Sequence, residues 1–261
     1  MACCRAGINI WQVAEMRRFY FDKNEMYGDM IRITGNDVNH IKNVLRMQTG
    51  ERVVANDKEI NDYYCVIEDI DSEQVLLRIE SFRKCSAELK TKLYLFQALP
   101  KQDKMEFIVQ KAVELGAHEV IPVASSRCVV KLDDKKRQEK KLARWQTIAE
   151  SAAKQSARGI IPKVNSIMSF KQAIDYAEKL ERSIIPYEHA KGMEKSRQYM
   201  DEAAECESVG IFIGPEGGFE ESEIQYACEH GIKPVSLGNR ILRTETAGLC
   251  VLSILMFKIS E

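Results

Sequence analysis

The sequence lacks the features of several large protein classes. It has 261 residues, of which only 14 are glycine and 6 are proline, and 45% are apolar. These values exclude collagen-like, low-complexity and fully disordered chains. The longest near-continuous apolar stretch, Leu249 to Phe257, is far shorter than the ~20 residues that a membrane-spanning helix needs. No signal peptide precedes a small-residue cleavage site, so we expect a soluble, cytoplasmic protein.

Several catalytic and metal-binding motifs are also absent. The eight cysteines are scattered, with no C-x-x-C and no nearby histidine pair, so we expect reduced, mostly buried cysteines and no metal. The sequence has no G-x-G-x-x-G, no G-x-x-x-x-G-K-[ST], no G-x-S-x-G and no H-E-x-x-H. Dinucleotide-binding, P-loop and common hydrolase functions therefore lose their main support.

The net charge of −1 conceals a strong asymmetry along the chain. Between Lys101 and Lys163 there are 14 Lys and Arg against 8 Asp and Glu, whereas Asp201 to His230 holds 9 acidic residues and no Lys or Arg. A basic surface of this kind can meet a polyanion while the whole protein stays nearly neutral. A solvated Lys-rich helix is the alternative interpretation.

The N-terminal third predicts a small, mostly β domain. Residues 1–15 have no pattern and are interpreted as an extension or a start-site artefact, because a charged and aromatic run begins at Met16. Short alternating runs separated by Asn, Asp and Gly then predict strands. They are Met30–Thr34, Arg52–Asn56, Tyr63–Ile70 and Gln74–Ser81. One helix is predicted over Asp37–Gln48, and a polar connection places the domain boundary near residue 88.

Residues 89–261 predict an α/β domain. Strand-like segments at Leu93–Ala98, Glu119–Ala124, Ser183–Glu188, Val209–Gly214 and Pro234–Gly238 alternate with helical segments. The helices include a long one from about Lys135 to Arg158 and a closing one from about Thr246 to Ile259, which Thr244 can cap. This alternation is typical of a mostly parallel sheet with helices on both faces.

The most informative segment joins an apolar strand to a glycine-rich turn, Ile211-Phe212-Ile213-Gly214-Pro215-Glu216-Gly217-Gly218-Phe219. Two further loops follow predicted strands, one at Tyr187-Glu188 and one from Leu237 to Gly248. Because ligands of open parallel sheets gather at the carboxyl ends of strands, we expect these loops to share one site. Glutamates 220, 221 and 223 beside the turn disfavour a phosphate, so a ligand without phosphate, or a cationic one, fits better.

Six segments, taken in order, resemble the RsmE family, which makes 3-methyluridine in 16S ribosomal RNA. They are MRRFY (16–20), HIKNVLRMQTGERV (40–53), QALPKQDKMEFIVQKAVELGAHEVIPV (97–123), RWQTIAESAAKQSARGIIPKV (144–164), IGPEGGFEESEI (213–224) and LGNRILRTETA (237–247). The resemblance covers nearly the whole chain from Met16 onward. Residues 1–15 lie outside it.

The resemblance implies a PUA-like β-barrel domain over residues 16–88 that binds RNA. It implies a SPOUT methyltransferase domain over residues 89–261, which is an α/β domain with a deep trefoil knot. The family forms homodimers, uses S-adenosylmethionine as cofactor and acts on a uridine N3 in the decoding region of the small ribosomal subunit. Two alternatives stay open: a ribose 2′-O RNA methyltransferase of the same superfamily, and a non-catalytic RNA-binding protein. A nucleotide-dependent oxidoreductase is disfavoured, since the dinucleotide fingerprint is absent.

The resemblance also assigns site residues. Those expected to enclose the cofactor are Tyr187, Glu188, Ile213, Gly214, Pro215, Glu216, Gly217, Gly218, Leu237, Gly238, Ile241, Leu242, Arg243, Thr244, Thr246 and Ala247. Those expected to contact RNA are Arg17, Arg18, His40, Arg46, Arg127, Lys131, Gln155 and Arg158. For catalysis we expect Arg243 or Arg158 to stabilise the uracil anion and Glu216 or Glu245 to accept the proton.

Overall fold

The computed structural model describes residues 16–128, 134–190 and 192–259. The chain divides into two compact units between Glu88 and Leu89. The first unit contains the residues up to Glu88 together with Ala157–Ile161, and the second contains Leu89–Ser156 and the residues from Pro162 onward. The expected N-terminal extension and the RNA-contact candidate Lys131 lie outside the described residues.

Six strands form the sheet of the first unit, in the order β1-β4-β5-β6-β3-β2. They are β1 (Arg18–Tyr20), β2 (Met26–Tyr27), β3 (Met30–Thr34), β4 (Arg52–Asn56), β5 (Asn61–Ile70) and β6 (Gln74–Lys84). β1 is parallel to β4, and the other neighbours are antiparallel. Ile31 and Ile33 of β3 are buried and alternate with more exposed residues, as expected when one face of a sheet covers a core. The predicted mostly β N-terminal domain is confirmed.

The helical segment between β3 and β4 is shorter than the predicted helix over Asp37–Gln48. It consists of α1 (Asn36–Asn39) and a π-helical turn (His40–Val44). Arg46 has a φ of 55°, a left-handed conformation that interrupts a right-handed helix. The helix therefore ends before Gln48.

Seven parallel strands form the sheet of the second unit, in the order β10-β8-β7-β12-β11-β13, with β9 also paired to β8. They are β7 (Lys92–Ala98), β8 (Ala117–Ala124), β9 (Lys163–Val164), β10 (Met168–Ser169), β11 (Arg182–Pro186), β12 (Ser208–Ile213) and β13 (Lys233–Val235). Val209 to Ile213 of β12 are all buried, because a central strand of a parallel sheet is covered on both faces. The predicted parallel sheet is confirmed, and the trefoil knot stays a prediction.

Helices pack on both faces of this sheet. They are α2 (Lys104–Glu114), α3 (Lys135–Gln155), α4 (Phe170–Ala177), α5 (Met193–Ala204), α6 (Glu221–Glu229) and α7 (Thr244–Ile259). α4 and α6 share a core with Phe96 and Phe212, whose rings stack at 4.3 Å, while α7 contacts α2, α5, β7 and β12. Several predicted ends were wrong. α3 stops at Gln155, before Ala157 with its φ of 56°, and α7 begins at Thr244. The strand predicted over Pro234–Gly238 ends at Val235.

Among residues 16–128, 134–190 and 192–259, no helix is long and apolar enough to cross a membrane. The same residues contain no group of three or more His, Cys, Asp or Glu side chains placed to hold a metal ion. Six cysteines are free there; Cys65, Cys85 and Cys206 are buried and Cys228 is exposed.

Candidate functional site

Three loops lie side by side at the carboxyl edge of the parallel sheet. β12, β11 and β13 are neighbours, so their carboxyl ends share one edge. The loops that follow are residues 214–220 after β12, 187–190 after β11 and 236–243 after β13. The backbone N–H of Tyr187 donates to the carbonyl of Val235 at 3.0 Å, which continues the strand pairing into the loops.

The turn after β12 is closed tightly by glycine. A Cβ atom added to Gly214 would lie 3.2 Å from the backbone N of Phe219 and 3.3 Å from Gly218. Gly218 has a φ of 68° and donates its N–H to the carbonyl of Pro215 at 2.9 Å. Side chains at either position would strain or open the turn.

One hydroxyl connects this turn to two other segments. Thr244 Oγ1, at the start of α7, donates to the carbonyl of Gly214 at 2.6 Å and accepts from Gln97 Nε2 at 2.9 Å. Gln97 and Thr244 are both buried. A role for Gln97 was not predicted from the sequence. What distinguishes it there is a single polar amide side chain within the apolar strand predicted over Leu93–Ala98. The expected cap role of Thr244 is not what the structure records, because its hydroxyl binds Gly214 instead.

Lys104 lies between two carboxylates of the loops. Its Nζ atom is 3.2 Å from Glu216 Oε1 and 3.3 Å from Glu245 Oε2. The backbone N–H of Lys101 also donates to Glu216 Oε1 at 3.1 Å. The three side chains together carry a charge of −1, so this cluster favours a cationic ligand over an anionic one. Sequence reasoning assigned this lysine-rich segment only to a general basic surface.

The pKa of Glu216 is lowered. Its partial burial opposes ionisation, but hydrogen bonds from its own backbone N–H, from Lys104 and from Lys101 outweigh that effect. The pKa of Lys104 is raised, first by its hydrogen bond to Glu216. Glu216 is therefore firmly ionised and a weak base.

Glu245 differs from Glu216 in how many hydrogen-bond donors surround its carboxylate. Its Oε2 atom is buried and lies 3.3 Å from Lys104 Nζ, without the backbone donor that Glu216 has in Lys101. A buried carboxylate oxygen normally finds a donor. This oxygen is therefore an open acceptor at the edge of the three loops.

Two of the glutamates beside the turn have a structural role. Glu223 is buried and accepts from the backbone N–H of Ser126 at 2.9 Å and from the N–H of Glu220 at 2.9 Å. Glu220 and Glu223 form a reciprocal capping box at the start of α6. The carboxylate of Glu223 is thus held inside the protein, and the interpretation that these glutamates repel a phosphate stays a prediction.

Comparison with protein families matches the chain twice. Residues 87–256 match an RNA methyltransferase domain, and residues 33–80 match an RNA methyltransferase PUA domain. Ribosomal RNA small subunit methyltransferase E of Bacillus subtilis is 36% identical over 229 residues, covering 87% of this chain and 89% of the relative. The chain belongs to the RsmE family of RNA methyltransferases.

Further relatives and solved structures support the assignment to the RsmE family. Ribosomal RNA small subunit methyltransferase E of Mesomycoplasma hyopneumoniae is 33% identical over 91% of this chain and 98% of its own length. The enzyme of that name from Neisseria gonorrhoeae, solved bound to S-adenosyl methionine, has a TM-score of 0.79 and 32% identity over 92% of this chain and 96% of that one. A Legionella pneumophila protein in complex with the bound cofactor SAM has a TM-score of 0.81 and 32% identity, covering 92% and 97%.

The remaining cofactor candidates of this RsmE-family chain lie on the same three loops, at the end of β12 or at the start of α7. Ile213 and Pro215 are buried, whereas Glu188, Gly217 and Thr246 are exposed. Leu237, Gly238, Leu242 and Ala247 are half-buried. Ile241 is 87% exposed, which leaves a large apolar side chain free to contact a ligand or a partner. The carbonyl of Arg243 accepts from Ala247 at the start of α7, while its side chain is exposed.

The RNA-contact candidates have different environments. Arg17, His40, Arg46 and Gln155 are exposed. Arg127 is also exposed, and its Nη1 atom donates to the carbonyl of Gly217 at 2.8 Å, so it supports the glycine turn. Arg18 is largely buried and forms a two-point ion pair with Asp62. That pairing leaves Arg18 little capacity to bind a phosphate.

Arg158 is not placed on the cofactor loops. It belongs to the first unit and is 3% exposed, with its guanidinium bound to Glu88 at 2.9 and 2.7 Å. We therefore correct the expected catalytic and RNA-contact roles of Arg158, because a buried guanidinium in a two-point ion pair is a structural group.

Proposed function

We propose that this chain transfers a methyl group from S-adenosylmethionine to N3 of a uridine in the 16S rRNA of the small ribosomal subunit, in its decoding region. The names of the relatives support methylation of small-subunit rRNA. Resemblance of the six sequence segments to the RsmE family supports the uridine N3 position. The observation that carries the proposal is the cluster of Glu216, Glu245 and Lys104, with a net charge of −1, beside the glycine turn at the carboxyl edge of the sheet.

The residues present suit this cofactor. S-adenosylmethionine supplies, when bound, a methyl group on a positively charged sulfonium. The acidic balance of Glu216, Glu245 and Lys104 complements a cation, and the buried Oε2 atom of Glu245 is open to a donor. Gly217 and Gly218 are exposed and carry no side chain, so the backbone of the turn is accessible there. We propose that Tyr187, Glu188, residues 213–218 and residues 237–247 hold the cofactor.

Two side chains receive proposed catalytic roles. The uracil imino nitrogen must lose a proton, and negative charge then develops on the ring oxygens. Arg243, exposed at the end of the loop after β13, stabilises that charge. Glu245, two residues after Arg243, accepts the proton, since its buried Oε2 atom has Lys104 beside it but none of the backbone donors that hold Glu216. Glu216 serves instead to hold the turn, because its carboxylate is bound by Lys104 and by the backbone N–H of Lys101 and its pKa is lowered.

Substrate docking is assigned to the exposed basic and polar residues. Arg17, His40 and Arg46 lie on residues 16–88, which we propose as the RNA-binding domain, and Arg127 and Gln155 lie on residues 89–261, the proposed methyltransferase domain. Folded rRNA is recognised mostly through its shape, its backbone and unpaired bases. A ribosomal substrate places the protein in the cytoplasm.

We also propose a homodimer that covers α7. Phe257 is 69% exposed, and a shallow cavity of about 330 Å³ beside it is lined by Ser253, Ile254, Phe257 and Lys258. An apolar helix surface of this kind gains free energy when a second copy covers it.

The test is methylation of small ribosomal subunits from a strain that lacks the modification. Labelled S-adenosylmethionine is supplied, and the rRNA is analysed by primer extension and by mass spectrometry of its nucleosides. We expect a reverse-transcriptase stop, because a methyl group on N3 blocks Watson–Crick pairing, together with 3-methyluridine. A 2′-O-methylated nucleoside would establish the ribose methyltransferase alternative, and the absence of both incorporation and cofactor binding would contradict the proposal.

A further inference from the structure

The first unit exposes a stacked aromatic pair that no step of the proposed reaction uses. Phe82 on β6 is 69% exposed. It lies directly opposite Tyr63 on β5, and the two rings stack at 5.8 Å between centroids with an interplanar angle of 29°. Tyr63 in turn meets the buried ring of Phe21 edge-on at 5.6 Å. The stack is thus anchored in the core at one end and open to solvent at the other.

The acidic side chains around this pair are paired with cations. Glu80 is bound by Arg52 at 3.1 Å, and Glu59 is bound by Lys23. Lys84 follows Phe82 by two residues along β6, so its side chain lies on the same face of the sheet. Lys84 is exposed and has no carboxylate partner within the part of the chain that the structure describes. Asp57, whose charge also acts on Tyr63, lies 3.9 Å from the same Lys23 Nζ atom. The carboxylates nearby therefore have cationic partners, whereas the ammonium of Lys84 has no carboxylate partner among the described residues.

We propose that Phe82, supported by Tyr63, stacks against an unpaired base of the RNA substrate and that Lys84 contacts the adjacent phosphate. An open aromatic face next to an uncompensated cation matches a nucleotide, which offers a π-face and a negative charge a short distance apart. An apolar protein surface would gain from Phe82 but would leave Lys84 without a partner. This inference rests on the proposed function only for the identity of the RNA.

The test replaces Phe82 in the full-length protein. Phe82→Leu keeps an apolar side chain and removes the ring, whereas Phe82→Trp keeps a ring. We expect Phe82→Leu to raise the KM for small ribosomal subunits roughly tenfold and to leave kcat and cofactor affinity unchanged, with Phe82→Trp close to the wild type.

Lys84→Ala should raise the KM and lower its dependence on salt. Tyr27→Leu is the matched control, because Tyr27 is an exposed aromatic residue already covered by the guanidinium of Arg32.

Binding of a 16S rRNA fragment is measured in parallel without S-adenosylmethionine, together with the unfolding midpoint and the sedimentation coefficient. Weaker RNA binding by Phe82→Leu supports the stacking role even if the wild type transfers no methyl group, so failure of the proposed reaction is recognised separately. Unchanged KM and RNA affinity in Phe82→Leu would overturn the inference. A changed oligomeric state in that variant would also overturn it, because the ring would then be a protein contact.

Discussion

The side-chain amide of Gln97 donates to Thr244 Oγ1 at 2.9 Å across 147 residues of sequence. Because Thr244 Oγ1 in turn donates a hydrogen bond to the carbonyl of Gly214, a single hydroxyl binds two polar groups and connects three segments. These are the end of β7, the glycine turn and the start of α7. The position of the turn therefore depends on a side chain outside all three predicted cofactor loops.

Replacing Thr244 tests that dependence. Thr244→Val keeps the shape but leaves the carbonyl of Gly214 without its donor, so we expect the free energy of unfolding to fall by about 1–3 kcal/mol. We also expect S-adenosylmethionine to bind roughly tenfold more weakly, which corresponds to about 1.4 kcal/mol. Denaturant unfolding and calorimetry measure the two effects. Thr244→Ser, which keeps the hydroxyl, is the control. If Thr244→Val matched the wild type in both stability and cofactor affinity, the position of the turn would not depend on this hydroxyl.

The pH dependence of methylation distinguishes Glu216 from Glu245. A lowered pKa means that the folded state favours the carboxylate, so this stabilisation is present above the ordinary glutamate pKa of about 4.3 and is lost as the pH falls through the lower folded value. Glu216 therefore stays ionised throughout the neutral range. We expect Glu216→Gln to weaken cofactor binding without moving the pH at which kcat falls to half.

Glu245→Gln should behave differently, because the proposed proton acceptor is lost. We expect a reduced kcat of the order of 10²-fold and a changed pH profile. The measurement is the single-turnover rate across about pH 6–9, the range in which a general base is normally recognised. If Glu216→Gln altered the pH profile and Glu245→Gln did not, Glu216 would be the proton acceptor and Glu245 would not.

How far the sequence predicts this molecule depends on the range of the interactions. The parallel strands and the glycine turn were predictable, since apolar runs such as Val209–Ile213 and the Gly-Pro turn are local signals. Lys104 and Gln97 were not, because their partners are distant in sequence and only the strand order brings them together. Helical periodicity likewise extends past Gln155, but the left-handed backbone of Ala157 ends the helix.

Arg243 provides a test of transition-state stabilisation. We expect Arg243→Ala to lower kcat by about 10²–10³-fold, since it removes a cation from the developing charge. Cofactor affinity should change far less, because the side chain is exposed and the backbone of the loop remains. Lys179→Ala is the charge-matched control: Lys179 is exposed and precedes β11, at the opposite edge of the sheet. Equal losses in kcat and affinity would show that Arg243 only binds the cofactor.

Glu88 is the acceptor at the centre of a small network in the first unit. It binds Arg158 through both oxygens and accepts the backbone N–H groups of Gly159 and Ile160 at 2.8 and 3.2 Å. The hydroxyl of Tyr20 donates to the carbonyl of Arg158 at 2.7 Å. Residues 157–161 are thus held in this unit by one carboxylate and one phenol.

Arg158→Met should therefore act on stability and leave cofactor binding intact. It leaves Glu88 partly buried without its cation, so we expect the free energy of unfolding to fall by about 3–5 kcal/mol, with faster hydrogen exchange in peptides from residues 16–88. Arg144→Met removes an exposed pair with Glu106 and should cost less than about 1 kcal/mol. Adding Glu88→Gln to Arg158→Met removes the unpaired carboxylate charge of Glu88. The double variant should therefore regain part of the lost free energy of unfolding. If Arg158→Met kept wild-type stability but abolished methyl transfer, the catalytic role first expected for Arg158 would be correct.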